Sequence, residues 1–297
     1  INKKYVSYIF KGNNYRKLIS EIAKGTSINN LKREHILDFE FPLPPLETQQ
    51  AIVSKIEELF SELDKGIAEL KTAQQQLKTY RQSVLKSAFE GKLTNENVKH
   101  GELPDGWKVV KISDISRVVR GGSPRPAGDK KYYDGTIPFL KVADLTKDDG
   151  MYVDGYSYTI KEAGLYKTRY LQEETLMLTN SGATLGVPKI CNFPTAFNDG
   201  IAAFIRMNIS LFKPFFYYLL KSKTTWFLKE ASRGQGQPNL NTDIIGETII
   251  PFPPLEEQKE IVATIEKLFA ICDELESEVK QNKSTVDKLM TTVLKEA

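Results

Sequence analysis

One stretch of this chain is written twice. PLPPLETQQAIVSKIEELF, from Pro42 to Phe60, returns as PFPPLEEQKEIVATIEKLF, from Pro251 to Phe269, at an offset of 209 residues. The match needs no gap and pairs Pro44 with Pro253, Pro45 with Pro254, Glu47 with Glu256, Gln49 with Gln258 and Phe60 with Phe269. The same offset joins Gly25 to Gly234 and Asn30-Leu31 to Asn239-Leu240, and further on Val84-Leu85-Lys86 to Val293-Leu294-Lys295. A chain of 297 residues therefore reads as one whole unit of 209 plus the end of another. Whatever one copy folds into, the other must also form.

Periodicity says what each copy holds. A Pro-Pro pair stops the preceding segment and sets up a helix start. Glu47 and Glu256 then place negative charge in the first turn, against the helix dipole. Apolar residues follow every seven: Ile56, Leu63, Leu70, Leu77 and Val84 in the first copy, and Ile265, Cys272, Val279, Val286 and Val293 in the second. A companion row is expected through Leu59, Ala73 and Tyr80, matched by Leu268, Leu275 and Leu289. A seam kept over four or five heptads predicts a coiled coil. Neither run contains an internal Pro, and each helix would be roughly 60 Å long at 1.5 Å per residue. Two equal seams in one chain each need a partner, and each is the other's obvious one.

Residues 104–250 have a different texture. Lys108–Ile112, Gly135–Val142, Thr175–Leu178 and Gly200–Arg206 read as strands between Gly, Pro, Asn and Asp, while Phe215–Leu228 reads as a helix. The expected fold class is mixed α/β, a domain of about 150 residues joined to two long helices. The net charge of +3 divides into +4 over 1–46, zero over 47–100, +3 over 101–250 and −4 over 251–297. Within the third segment, Lys108 to Lys141 carries eight basic residues against Asp114, Asp129 and Asp134. Such a local excess suits a nucleic-acid surface on part of the molecule and equally an ordinary solvated face.

Several chemistries find no footing. Gly91-Lys92-Leu93-Thr94 lacks the upstream glycine of a phosphate loop, and no GxGxxG follows a strand. Asp105 with Asp129-Lys130-Lys131 mimics a nuclease pattern only by ignoring its turn context. No Ser or Cys sits in a nucleophile elbow, and two histidines leave little for general-base work. His35, His100, Cys191 and Cys272 do not cluster as a zinc site, and two distant cysteines point to a reducing cytoplasm. The apolar run near Phe212–Leu220, broken by Lys213 and Pro214, is too short to span a bilayer, so no membrane is expected.

Recognition chemistry fares better. Arg120-Gly121-Gly122-Ser123-Pro124-Arg125-Pro126 reads as a flexible turn with two guanidiniums, followed by Lys130, Lys131, Tyr132 and Tyr133. Arginine forks and lysines beside tyrosines suit phosphate and base-edge contacts. Thr179–Thr184, with Asn180 and Ser181, and Ser232–Asn239, with Arg233, Gln235 and Gln237, are two further polar loops. Since Gly234, Asn239 and Leu240 recur in the other copy while Gln235 and Gln237 do not, the former are expected to serve the fold and the glutamines to meet bases.

The two repeats, with RQSVLKSAFEGKLT at Arg81–Thr94 and LPDGWKVVKISDI at Leu103–Ile115, resemble the specificity subunit of type I restriction-modification systems over essentially the whole chain. The resemblance implies target recognition domains alternating with two helices paired as an antiparallel spacer, each domain reading half of a bipartite double-stranded DNA target. It implies no catalysis and no cofactor in this chain. Modification subunits would methylate adenine with S-adenosylmethionine, and a restriction subunit would translocate and cleave with ATP and Mg. The segments expected are the tail of a first recognition domain (1–45), a helix (46–92), a linker (93–103), a recognition domain (104–253) and a second helix (254–297). Because Ile1 aligns with Ser210, the chain is expected either to begin mid-domain or to be completed by another polypeptide. The alternative is a coiled-coil scaffold whose α/β domain binds protein; salt-dependent retention on DNA separates the two.

Overall fold

The computed structural model describes residues 1–22, 33–95, 97–99, 101–231 and 239–296, and it divides into two compact units, Ile1–Tyr80 with Ala270–Ala297, and Arg81–Phe269. The first unit opens with α1 (Lys3–Lys11), α2 (Asn13–Ile22) and α3 (Glu34–Leu37) and holds most of α4 (Leu46–Phe89). The second runs through β1 (Lys108–Lys111), α5 (Ile112–Ile115), β2 (Arg117–Arg120), β3 (Tyr133–Leu140), α6 (Val142–Thr146), β4 (Tyr158–Ile160) and α7 (Glu162–Leu165). It continues with β5 (Arg169–Leu171), β6 (Thr175–Thr179), β7 (Pro188–Cys191), β8 (Thr195–Phe197), β9 (Ile201–Ile205), α8 (Lys213–Trp226), α9 (Thr242–Gly246), β10 (Ile249–Phe252) and the start of α10 (Leu255–Glu296). The expected strands stand with their ends shifted by a few residues. The expected helix at Phe215–Leu228 starts two residues earlier and turns π-helical over Phe227–Ala231. No helix among the described residues is long and apolar enough to cross a membrane.

The duplicated Pro-Pro-Leu-x-x-Gln motif builds the same knot twice. The main-chain N–H of Gln49 donates to the Pro45 carbonyl at 3.0 Å, and that of Gln258 to Pro254 at 3.0 Å, so the second proline accepts the first helical bond. The side chain of Gln49 donates to the Pro44 carbonyl at 2.7 Å and accepts the Asn2 N–H at 2.9 Å. Gln258 likewise donates to Pro253 at 2.9 Å, accepts the Phe212 N–H at 2.8 Å and donates also to the Ser210 carbonyl at 2.9 Å. Asn2 and Phe212 are the N-cap residues of α1 and α8. One buried amide thus ties the start of a long helix to the start of a short one, meeting main-chain groups that both helix ends would otherwise leave orphaned. A tyrosine of the short helix also meets the repeated phenylalanine in each copy, with Tyr8 6.2 Å from Phe60 and Tyr218 5.9 Å from Phe269.

The long helices run antiparallel where the second unit holds both. The Arg81 guanidinium lies 5.0 Å from the Phe269 ring, and beyond the end of α4 Asn95 donates to Glu257 at 2.8 Å. Val84, Leu85 and Ala88 share a core with Ile261, Val262 and Ile265. Gly91, at φ +76°, ends α4 in a Schellman turn in which the Lys92 N–H reaches the Ser87 carbonyl at 2.9 Å. A Cβ there would stand 2.3 Å from Pro104 Cγ, so the Gly-Lys-Leu-Thr fragment is a helix terminator. Along the seam Ile56, Val84, Ile265 and Cys272 are buried and Leu63, Leu70, Leu77, Val279, Val286 and Val293 half-buried. The companion row holds in part: Leu59, Ala73 and Leu268 are half-buried, whereas Tyr80, Leu275 and Leu289 are exposed. Half-burial also extends one residue later, to Phe60, Ile67, Gln74, Arg81, Phe269, Glu276 and Met290, though not to Lys283. On a helix, positions three and four beyond a seam residue flank it on opposite sides, and polar members of the sheltered row hid it from a reading of hydropathy.

The core of the second unit is a pair of sheets. One has the order β2-β9-β6-β7, all antiparallel; the other has the order β4-β3-β8-β5 with a parallel β3–β8 pair; β1 and β10 form a separate ribbon. Leu176, Leu178, Ala202 and Phe204 face α8 and the helix ends, packing on Phe215, Phe216 and Leu219. The alternate residues Met177, Ile201 and Ala203 face Leu140 and Phe197 of the second sheet. This period-two division fixes register, since a slip of one residue would exchange the two faces. Replacing Gln258 by Leu should leave the Phe212 N–H and two carbonyls unpaired and lower unfolding free energy by about 3 kcal/mol. Urea denaturation showing a loss below about 0.5 kcal/mol would refute the knot's role.

Candidate nucleic-acid interface

Strand order brings the polar loops to one edge. The end of β2 at Arg120 pairs beside Ala202, and the end of β6 at Thr179 pairs with Ile201, so both meet the start of β9. In the second sheet Phe197, ending β8, pairs with Arg169, starting β5. Residues 121–132, 166–168, 180–187 and 198–200 therefore converge.

Main-chain contacts pin these loops together. The N–H groups of Gly121 and Gly122 donate to the carbonyls of Ile201 and Phe197 at 3.0 and 3.1 Å. A Cβ on Gly121 would lie 2.3 Å from the Asn198 carbonyl oxygen, and one on Gly122 would lie 2.4 Å from that of Lys167. The expected flexible turn is therefore held: these glycines serve close approach of backbone to backbone. The Asn180 N–H donates to Gly200 at 2.9 Å, and its carbonyl accepts from Leu240 at 2.8 Å. Thr179 closes the next loop, its hydroxyl donating to the Thr184 carbonyl at 2.6 Å and accepting the Val187 N–H at 2.8 Å.

On this frame stands a field of cations. Arg120, Arg125, Lys130, Lys131 and Arg169 are exposed and Lys167 is half-buried, and none of them forms an ion pair with a carboxylate among the described residues. Lys131 and Lys167 sit 5.4 and 5.3 Å from the Tyr132 ring, and Lys167 lies 5.4 Å from the ring of Tyr166, a side chain 73% exposed. The Arg169 Nε donates to the Arg120 carbonyl at 2.8 Å, and the Arg120 Nε to the Asp199 carbonyl at 2.5 Å. Ser123 Oγ donates to Asp199 Oδ1 at 2.6 Å. That hydrogen bond, followed by one from the residue's own backbone N–H and then by the charges of Arg120 and Arg125, holds the Asp199 carboxyl below the usual carboxylate range. Uncompensated guanidinium and ammonium groups beside an exposed aromatic ring can take phosphates and stack a base.

The residues expected from sequence divide three ways. Arg120, Arg125, Lys130 and Lys131 stand exposed at the convergence, and Ser181 lies half-buried within it, bridged to Asn239. Tyr132 and Asn180 are buried: the Tyr132 ring joins the small core with Tyr133, Phe139 and Ile160, and neither amide atom of Asn180 has a partner among the described residues. Arg233, Gln235 and Gln237 lie outside the described residues. Leu240, expected to serve the fold, is fully buried. Reading the sequence missed Tyr166, Lys167, Arg169 and Asp199. The run Tyr-Lys-Thr-Arg was a usable signal, being basic residues interleaved with an aromatic. Asp199 offered none, because Asn-Asp-Gly reads as a turn.

Residues 1–72 and 104–283 match the family described as type I restriction modification DNA specificity domain. The EcoBI specificity subunit of Escherichia coli is 28% identical over the whole of this chain, which spans 65% of that relative's length. The MjaIX specificity subunit of Methanocaldococcus jannaschii is 34% identical over 61% of this chain and 41% of its own. Among solved structures, a chain from a study of assembly and conformational transition of the type I R-M system superposes with a TM-score of 0.75 at 20% identity, covering 98% of this chain and 69% of that one. The HsdS subunit from Thermoanaerobacter tengcongensis gives 0.67 at 21%, covering 99% and 69%. At such identities these two structures establish the shared fold alone.

The glycine frame makes a specific demand. Gly121→Ala must displace residues 197–198 or unmake β2–β9 pairing, at a cost of about 2–3 kcal/mol for overpacked backbone. Thermal unfolding should register it, and an unchanged midpoint would mean that the loops are not held at Gly121.

Proposed function

This chain belongs to the type I restriction modification DNA specificity domain family, and from that premise we propose that it is the sequence-reading, non-catalytic subunit of a type I restriction-modification complex. The observation that carries the reading is the edge where four loops of one domain meet and present Arg120, Arg125, Lys130, Lys131, Lys167 and Arg169 without carboxylate partners. Cations left unpaired on a rigid frame suit a polyanion, whose phosphates release counterions when they are met. In this reading residues 104–253 bind double-stranded DNA as one recognition domain, and residues 1–45 are the tail of another. The helices of 46–92 and 254–297, joined to the domains through the linker 93–103, act as the spacer between two half-sites.

Partner subunits complete the activity in this proposal. Modification subunits dock on the spacer and methylate adenine with S-adenosylmethionine, and a restriction subunit adds ATP- and Mg-dependent translocation and cleavage in the cytoplasm. The outward helix positions Glu58, Lys65, Lys71, Glu266 and Lys267 are exposed and polar, as befits the rim of a protein interface. The scaffold alternative has no use for so many unneutralised cations on one edge.

Retention of the purified chain on duplex DNA should fall steeply with salt. Changing Arg125 and Lys131 together to Ala should weaken binding about equally on all sequences and flatten the plot of log affinity against log salt by about 2. Binding that ignores salt, or a double variant with an unaltered slope, would refute the proposed surface.

A further inference from the structure

Asp199 is out of place on a surface for a polyanion. A carboxylate beside phosphates repels them, and it gains only by meeting a hydrogen-bond donor. We infer that Asp199 reads a base, accepting a hydrogen bond from the exocyclic amino group of cytosine or adenine in the major groove. The inference rests on the DNA-reading role proposed above.

Three observations carry it. Asp199 occupies the centre of the convergence, its own carbonyl held by Arg120 and its Oδ1 by Ser123, while Oδ2 accepts nothing from another side chain among the described residues. Its backbone is fixed on both sides. Gly121 approaches the carbonyl of Asn198, and a Cβ on Gly200 would lie 2.6 Å from Val142 Cγ2 and 2.9 Å from Ser181 Oγ. The residue can therefore be presented within the narrow tolerance that base reading needs. Finally, hydrogen bonds from Ser123 and from the residue's own backbone, then the charges of Arg120 and Arg125, hold the carboxyl below the usual carboxylate range, and an ionised carboxylate is an acceptor only. An obligate acceptor favours the N4 amine of cytosine or the N6 amine of adenine, and it is left facing lone pairs by guanine O6 or thymine O4. The arginines would hold the flanking phosphates, so attraction supplies affinity and the carboxylate supplies rejection of the wrong base.

Asp199→Asn tests this, because Asn keeps an oxygen for Ser123 and turns the second acceptor into a donor. The chain is co-expressed with its modification subunit in a host lacking that system, and methylated adenines are mapped across the genome. The wild type should show cytosine or adenine at one position of one half-site, the identity separating the two amines. D199N should relax that position, or exchange it for guanine or thymine, with discrimination falling about ten- to a hundredfold. Ser123→Ala, which removes only the bond to Oδ1, should keep the motif. An unchanged motif in D199N overturns the inference, as does the same relaxation in S123A, which would assign the effect to loop position. Should D199N methylate too little to map, its complex is titrated on duplexes carrying each base at every position of the half-site. Selective loss of discrimination at one position supports the inference, and uniform weakening overturns it. A wild-type complex that methylates without any defined motif overturns the DNA-reading role together with this inference.

Discussion

A glutamine amide buried at the head of each long helix is the joint on which this architecture depends. Gln49 and Gln258 each satisfy one proline carbonyl and one N-cap amide, and neither group has another partner among the described residues. An amide has a donor and an acceptor about 2 Å apart on a rigid plane. It can therefore fix the angle at which a long helix leaves a domain, a task that non-directional apolar packing performs less sharply. The Pro-Pro pair makes the device necessary, because it supplies carbonyls but no N–H to close a ladder.

The duplication made the larger features readable from sequence. Both long helices and their starts follow from Pro42–Phe60, its echo and the heptads of Ile56 to Val84 and Ile265 to Val293, while their antiparallel sense was implied by the family resemblance. The second sheltered row was misread because Gln74 and Glu276 occupy it, and hydropathy has no term for a polar side chain lying half-covered along a helix. The paired sheets were legible only in part. Strands as short as Tyr158–Ile160 and Thr195–Phe197 give too few alternations for a period to emerge, and their order depends on contacts distant in sequence.

The site followed the same pattern. Basic residues on an extended polar loop announce themselves, and the exposure of Arg120, Arg125, Lys130 and Lys131 was legible for that reason. Asn180 and Tyr132 looked like contacts because their chemistry fits, but they lie beneath the surface that they were expected to form. Asp199 was invisible because its meaning depends on what surrounds it. An acid in a turn is ordinary, whereas an acid that feels the charges of two arginines, neither in an ion pair among the described residues, is not.

Alongside side-chain bonds from Arg120, Ser123, Thr168, Arg169 and Thr179, main-chain pairs hold the loops: Gly121 to Ile201, Gly122 to Phe197, Asn180 to Gly200 and Leu240 to Asn180. Such bonds are blind to the identity of the residue, except where glycine is needed for room. Outward side chains on the same loops carry little of the folding free energy, so they can be exchanged with small effect on stability. Texture and text are thereby separated. In the proposed reading, a lineage can revise which sequence it recognises, one side chain at a time, while the frame that presents those side chains stays where it is.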